Sequence, residues 1–232
     1  MPDYNEIKQY YDAYGAHYDD ERLSPYYRMV TAMEMATLLP HIAGKRTLEI
    51  GCGTGLILAQ VARHSALSWG IDLSSGMLEE AREKGLNVKE NNAREIDFPD
   101  ASFDVVYSFK VLAHIPDIDE VINEIHRVLT PSGRVVLEFY NPFSIKHLNN
   151  LLARAPEKIY TRYDSRTDIA ALLGERFHIE KFHGVRIATP LAGLINDGWR
   201  GRLFTRVERF LSGTFMQRVA GYMVVVASKK GN

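Results

Sequence analysis

Three glycines alternate with other residues in Glu49-Ile50-Gly51-Cys52-Gly53-Thr54-Gly55. An apolar run, 46–50, leads into them, and a stretch with helical spacing, 56–64, follows at once. Glycine lets the chain turn tightly and lets a ligand approach the main chain closely. The amino end of a helix beyond it would offer unpaired N–H groups to a carboxylate or phosphate. The spacing narrows the choice of ligand. A dinucleotide fingerprint needs a third glycine where Leu56 stands, and a P-loop needs a lysine that this loop lacks. Pyrophosphate and triphosphate are therefore disfavoured. One cysteine, Cys52, and scattered histidines do not reach the spacing of a zinc site.

The elements that would position this loop alternate. Strands are expected at 46–50, 67–73, 86–90, 103–109 and 134–140, with helices at 56–64, 75–85 and 118–129 between them. Pro40 and Gly44 should end an earlier helix running from about Tyr26 to Leu39. Near-continuous apolar strands separated by helices predict an α/β fold with a doubly wound, mostly parallel sheet covered on both faces. Beyond Asn141 the rhythm loosens. Helices near 144–154 and 166–174 precede a strand near 177–188, and a last strand is expected over 221–230. The Thr-Pro-Ser-Gly stretch at 130–133 reads as a turn.

With its flanking residues, the glycine loop strongly resembles the first motif of the class I S-adenosylmethionine (SAM)-dependent methyltransferases, and Glu49, Gly51, Gly53 and Gly55 match it. Four further stretches match in order. The second strand ends at Asp72, where a carboxylate can accept both ribose hydroxyls; the alternative is that Asp72 caps the next helix, a task open to Ser74 or Ser75. Asn92-Ala93 stands where the family meets the adenine edge, with an amide in place of the usual acid. The stretch 103–117 resembles the fourth strand and its loop, placing Ser108 to Lys110 at the ligand end of the sheet. Residues 11–19 resemble the amino-terminal helix of ubiquinone and menaquinone methyltransferases. There, Tyr11 and Tyr18 would cover the methionine end or be ordinary core residues.

The resemblance implies a seven-stranded sheet, SAM as cofactor and methyl transfer to a small organic acceptor, on O, C or N. It adds Cys52, Leu73 and Met77 to the cofactor-binding residues, with the cofactor's ammonium near the backbone carbonyls of Gly51 or Ser108. Its first motif brings the cofactor's carboxylate to the loop N–H groups. Glu49 would orient the loop or serve as an inward-facing anchor. For a hydroxyl or acidic-carbon acceptor, His114 is the best-placed base, its ordinary pKa suiting proton transfer at neutral pH; alternatively it only pins the turn before Pro116. A methyltransferase acting on RNA or protein would need a contiguous basic track with exposed aromatics. An NAD(P)-dependent oxidoreductase and a SAM-sensing module without turnover complete the rivals.

Composition sets the outer bounds. The chain has 232 residues, 46% hydrophobic and 25% charged, which excludes disorder and a disulfide-stapled miniprotein. The length fits a single domain. The polar start lacks the pattern of a signal peptide, and the aliphatic run 219–227 is too short to span a bilayer. One cysteine fits a reducing, cytoplasmic setting. The net charge of −1 gives no global pull toward nucleic acid. It is unevenly divided, with a net of −9 over residues 1–140 and +8 over 141–232. The basic half would face something anionic, or neutralise the acidic half across the fold. Residues 1–40 are expected to form a helical cover, and 141–175 and 190–219 helical additions on the acceptor side. In the helix expected at 202–211, Leu203, Phe204, Val207, Phe210 and Leu211 form one stripe, with Arg202, Arg206 and Arg209 elsewhere. Three readings fit: a lid, a helix resting on anionic lipid, or a surface helix with its apolar side on the core. The oligomeric state is not set by the sequence.

Overall fold

The computed structural model describes residues 8, 12, 18–20, 22–145, 147–148, 151, 159–187, 195–196 and 198–231. Among them are seven strands: β1 (Arg46–Ile50), β2 (Leu67–Asp72), β3 (Val88–Glu90), β4 (Phe103–Ser108), β5 (Leu129–Tyr140), β6 (Phe177–Val185) and β7 (Tyr222–Lys229). They form one sheet in the order β3-β2-β1-β4-β5-β7-β6. The first five neighbours run parallel, and β7 enters antiparallel between β5 and β6. A dinucleotide sheet in its usual order would run 3-2-1-4-5-6, so the position of β7 weighs against the oxidoreductase reading.

Side-chain alternation along the central strands feeds two cores. On one face Val105, Tyr107, Val136, Val224 and Val226 meet helix α1 (Pro25–Ile42) through Met29, Val30, Met33 and Leu38. On the other, Leu48, Val106, Val135, Leu137 and Val225 meet a second layer. That layer is built from the later helices, numbered after α2 (Leu58–Val61) and α3 (Ser75–Glu83). They are α4 (Ile118–Val128) and α5 (Arg166–Gly174). α4 presents Ile118, Val121, Ile122, Ile125 and Val128 at helical spacing, all buried. Each such side chain contributes about 1.5–3 kcal/mol by leaving water. Among the described residues no helix is long and apolar enough to cross a membrane.

Several elements differ from their sequence patterns. The helix expected over 56–64 is α-helical only at Leu58–Val61, and the chain then turns; the Ser65 hydroxyl donates to the Val61 carbonyl at 2.9 Å, a local bond that competes with continuing the helix. α1 runs through Pro40 to Ile42, because Leu38 and Ile42 are fully buried there, and Gly44 at φ +67° follows. Residues 130–133 are not a separate turn: β5 includes them as a bulge, Phe103 pairing Leu129 while Val105 pairs Arg134. β6 ends at Val185 rather than near 188. Of the helix expected at 144–154, the described residues 145, 147, 148 and 151 are helical.

Glu49 and Tyr107 stand opposite each other on β1 and β4, both buried, with the tyrosine hydroxyl donating to Glu49 Oε2 at 3.1 Å. Burial raises the Glu49 carboxyl well above its ordinary value of 4.5, against the opposing effects of the hydroxyl bond and of Lys110. A group with a raised folded-state pKa contributes fully below its unfolded value and loses that contribution as pH climbs toward the folded value. Glu49→Gln removes this loss. The melting temperatures of wild type and variant are expected to coincide near pH 4, with the variant higher by about pH 8. Parallel pH curves would contradict the assignment.

Candidate active site

The glycine loop joins the end of β1 to α2, and its three glycines do different work. Gly51 and Gly55 have φ of +71° and +79°, and a Cβ on them would stand 2.2 Å from Val111 Cγ2 and 2.3 Å from Leu86 Cδ1. They are required by the packing of the chain on itself. Gly53, at φ +51°, has only Met77 Sδ within 4 Å, at 3.9 Å, and faces open space. The N–H groups of Gly51 and Cys52 both donate to the Ile71 carbonyl, at 2.7 and 3.0 Å, and that of Gly55 to the Cys52 carbonyl at 2.9 Å. The Gly53 N–H donates to Asp72 Oδ2 at 2.8 Å. The N–H groups of Gly51, Cys52, Gly53 and Gly55 are thus already paired, and α2 is too short to add a helix terminus worth the name.

Asp72 closes β2 and grips both loops, its other oxygen accepting from Ser74 N–H at 2.9 Å. The cap of α3 is Ser74, whose hydroxyl accepts from Met77 N–H at 3.2 Å, so Asp72 is released from the capping role. Two of the roughly four acceptor positions on its carboxylate are filled. Burial pushes its pKa up, opposed by the N–H groups of Ser74, Gly53 and Leu73.

A cleft opens over the carboxyl ends of β1, β2 and β4, where open α/β sheets bind ligands. It is open to solvent at its mouth and lined by both polar and apolar side chains. Tyr18, Gly51, Gly53, Asp72, Leu73, Met77, Asn92, Ala93 and His114 all line it. Glu49, Cys52, Gly55 and Ser108 do not. Glu49 is spent on Tyr107, Cys52 is buried against Leu58 and Leu78, and the Ser108 hydroxyl donates to the Ile50 carbonyl at 2.9 Å. Tyr11 lies outside the described residues. Asn92 Oδ1 accepts from Arg94 N–H at 3.0 Å, which turns the strand end. His114 sits in a 3₁₀ turn, Leu112–His114, with Nδ1 2.9 Å from the Tyr160 carbonyl and its ring edge-on to Tyr140. A carbonyl can only accept, so Nδ1 carries the proton and the lone pair lies on Nε2.

Two cleft residues carry no local sequence signal for the roles they take. The Lys110 ammonium pairs with buried Glu34 on α1, 2.6 Å from Oε2, while its N–H donates to buried Glu138 on β5 at 3.1 Å. These bonds hold Lys110 at φ +62° and set Val111 against Gly51. Arg22 lies over the rings of Tyr18 and Tyr27, at 4.8 and 4.5 Å. Among the described residues its guanidinium has no carboxylate partner. The amino-terminal residues strap onto the same rim. Lys8 donates to the Leu73 carbonyl at 2.7 Å, Ser74 to Asp12, Thr54 to Asp19, and Lys84 pairs with Asp19.

Sheet order, glycine loop and strand-end acid together define the class I methyltransferase fold. Residues 48–137 match the methyltransferase domain family. The 27-O-demethylrifamycin SV methyltransferase of Amycolatopsis mediterranei is 32% identical over 159 residues, 59% of this chain and 58% of that protein. A ubiquinone biosynthesis O-methyltransferase of Pseudomonas aeruginosa is 36% identical over 110 residues, 43% of this chain and 46% of its own. The chain thus spans about half the length of the curated relatives it matches. A SAM-dependent methyltransferase structure from Thermotoga maritima superimposes with TM-score 0.70 at 18% identity, covering 95% of this chain and 98% of that one.

The glycines give a paired prediction. Gly44, also at positive φ, has nothing within 4 Å of where a methyl would stand, whereas Gly51 has Val111. Gly44→Ala is expected to lose about 1 kcal/mol, the backbone cost alone, and Gly51→Ala about 1–3 kcal/mol more from overpacking. Urea midpoints of the two variants check this, and equal midpoints would refute the close approach.

Proposed function

We propose that this chain transfers a methyl group from SAM to a small organic acceptor. What supports it is one cleft that joins a strand-end acid to a ring-held cation and a tautomer-fixed histidine. SAM supplies the electrophilic methyl when bound, and the protein's contribution is placement and electrostatics. Asp72 accepts the ribose hydroxyls with its remaining acceptor positions. Asn92 and Ala93 border the adenine, with Leu73 and Met77 against its faces. The open side of Gly53 lets the cofactor lie on the main chain. With four of the loop amides already paired, Arg22 would hold the cofactor's carboxylate, its guanidinium set over the rings of Tyr18 and Tyr27.

His114 takes the acceptor's proton on Nε2 when that acceptor is a hydroxyl or acidic carbon. One curated relative named above is called an O-methyltransferase and the other is named for 27-O-demethylrifamycin SV, which favours a hydroxyl here. The compartment we assign is the cytoplasm, on the single cysteine.

Calorimetry with S-adenosylhomocysteine tests the cofactor site. Asp72→Ala is expected to weaken binding by about 1–3 kcal/mol, the range for a charge-assisted bond. Arg22→Gln is expected to weaken it too, yet to leave the affinity for 5′-methylthioadenosine, which lacks the carboxylate, unchanged. Equal losses for both ligands would remove Arg22 from that role. For turnover, His114→Ala is expected to lower kcat by roughly 10²–10⁴ on a phenolic acceptor while S-adenosylhomocysteine affinity holds. Unchanged kcat, measured by labelled methyl transfer, would leave His114 as a turn residue only.

A further inference from the structure

Helix α6 (Trp199–Ser212) presents its apolar stripe the wrong way round for a surface helix. Trp199, Leu203, Val207 and Phe210, spaced by four, four and three residues, share one face, and they are 65%, 53%, 44% and 73% exposed. Phe215, just beyond, is 76% exposed. The opposite side is the one that meets the protein. There Gly201 and Glu208 are buried, the Glu208 carboxylate accepting the Ile187 N–H, and Phe204 packs against the core. The reading in which this stripe covers the core is therefore corrected: of its members, Leu203, Val207 and Phe210 face out.

The helix is not free to roll the stripe inward. A Cβ on Gly201 would stand 1.8 Å from the Asn196 carbonyl oxygen, so the backbones meet too closely for any other residue or rotation. Exposed Arg202, Arg206 and Arg209 line one flank of the stripe, and the helix's one acidic residue is the buried Glu208. A second copy docked on this face would bring the same arginines together, and a nucleic acid would leave the apolar stripe in water. A surface that is anionic outside and apolar a few ångströms deeper satisfies both parts.

We infer that α6 docks on an anionic lipid bilayer, its Trp199, Leu203, Val207 and Phe210 in the acyl boundary and its arginines among the headgroups. The segment after α6 is tied to the end of β5, the Asn141 side chain donating to the Arg218 and Ala220 carbonyls at 2.8 Å each. Tyr140, the neighbouring residue, lines the cleft. Docking would thus anchor the protein through a segment joined to the strand end that borders the cleft. On the methyl-transfer reading, and resting on it, this makes the acceptor a lipophilic molecule drawn from the bilayer.

Sedimentation with vesicles tests the docking. The wild-type chain is expected to pellet with phosphatidylglycerol-containing vesicles, in a salt-sensitive way, and not with pure phosphatidylcholine. In Trp69→Phe, Trp199 is the remaining tryptophan, and its emission should shift to the blue on the same vesicles. Leu203→Asp/Phe210→Asp, and separately Arg202→Gln/Arg206→Gln/Arg209→Gln, are expected to weaken binding roughly tenfold or more with unchanged melting temperature. Their affinity for S-adenosylhomocysteine should not change, so failure of docking is separable from failure of the methyltransferase reading. Absence of vesicle binding, binding indifferent to these substitutions, a dimer dissolved by Phe210→Asp, or RNA binding in place of lipid would each overturn the inference.

Discussion

The hydrogen bond from the Gly53 amide to the Asp72 carboxylate organises the ligand side of the sheet. β1 and β2 are adjacent parallel strands, and once the Gly51 and Cys52 N–H groups have met the Ile71 carbonyl the ladder no longer sets the spacing of the two loops. Asp72 fixes it by accepting from Gly53 in one loop and from Ser74 at the start of α3 in the other. The same arrangement consumes donors that a ligand would otherwise meet. In the cleft beside them, Arg22 is a cation that no carboxylate holds among the described residues.

A second constraint works from the other side. Val111 presses on Gly51 because Lys110 is held in a left-handed conformation by Glu34 and Glu138. Burying two carboxylates with one ammonium costs more desolvation than an apolar packing would. Burial raises the Glu138 carboxyl well above its ordinary value, with the neighbouring Glu34 adding to it and Lys110 opposing. The network therefore makes better sense as a means of fixing loop geometry than as a source of net stability.

Much of the fold was legible because its signals are local. Continuous apolar strands, glycines at odd positions and Asp72 at a strand end each mark themselves within a few residues. What escaped reading depends on partners far apart in the chain. Glu34, Lys110 and Glu138 meet across 76 and 28 residues, and no window of sequence contains them. Arg22 looks like any surface arginine until the fold sets it in the cleft over two tyrosine rings. Periodicity revealed the α6 stripe but not its direction, since a helix wheel does not say which side meets the protein; buried Glu208 and the tight contact at Gly201 decide that. The bulge at 130–133 was hidden for the opposite reason, because Thr-Pro-Ser-Gly is ordinary turn chemistry and only pairing with β4 carries it into the strand.

The place of β7 has a consequence for how the molecule assembles. β6 has no neighbour in the ladder except β7, and β7 is the last of the seven strands in chain order. A nascent chain can set β3, β2, β1, β4 and β5 in register as they emerge, but β6 must wait beside a gap. One late strand then closes both seams at once, zipping seven residue pairs onto β5 and eight onto β6. Such distant pairings are slow to form, so the half-built sheet passes through a stage with an open edge at β5 that chaperones or misassembly can exploit.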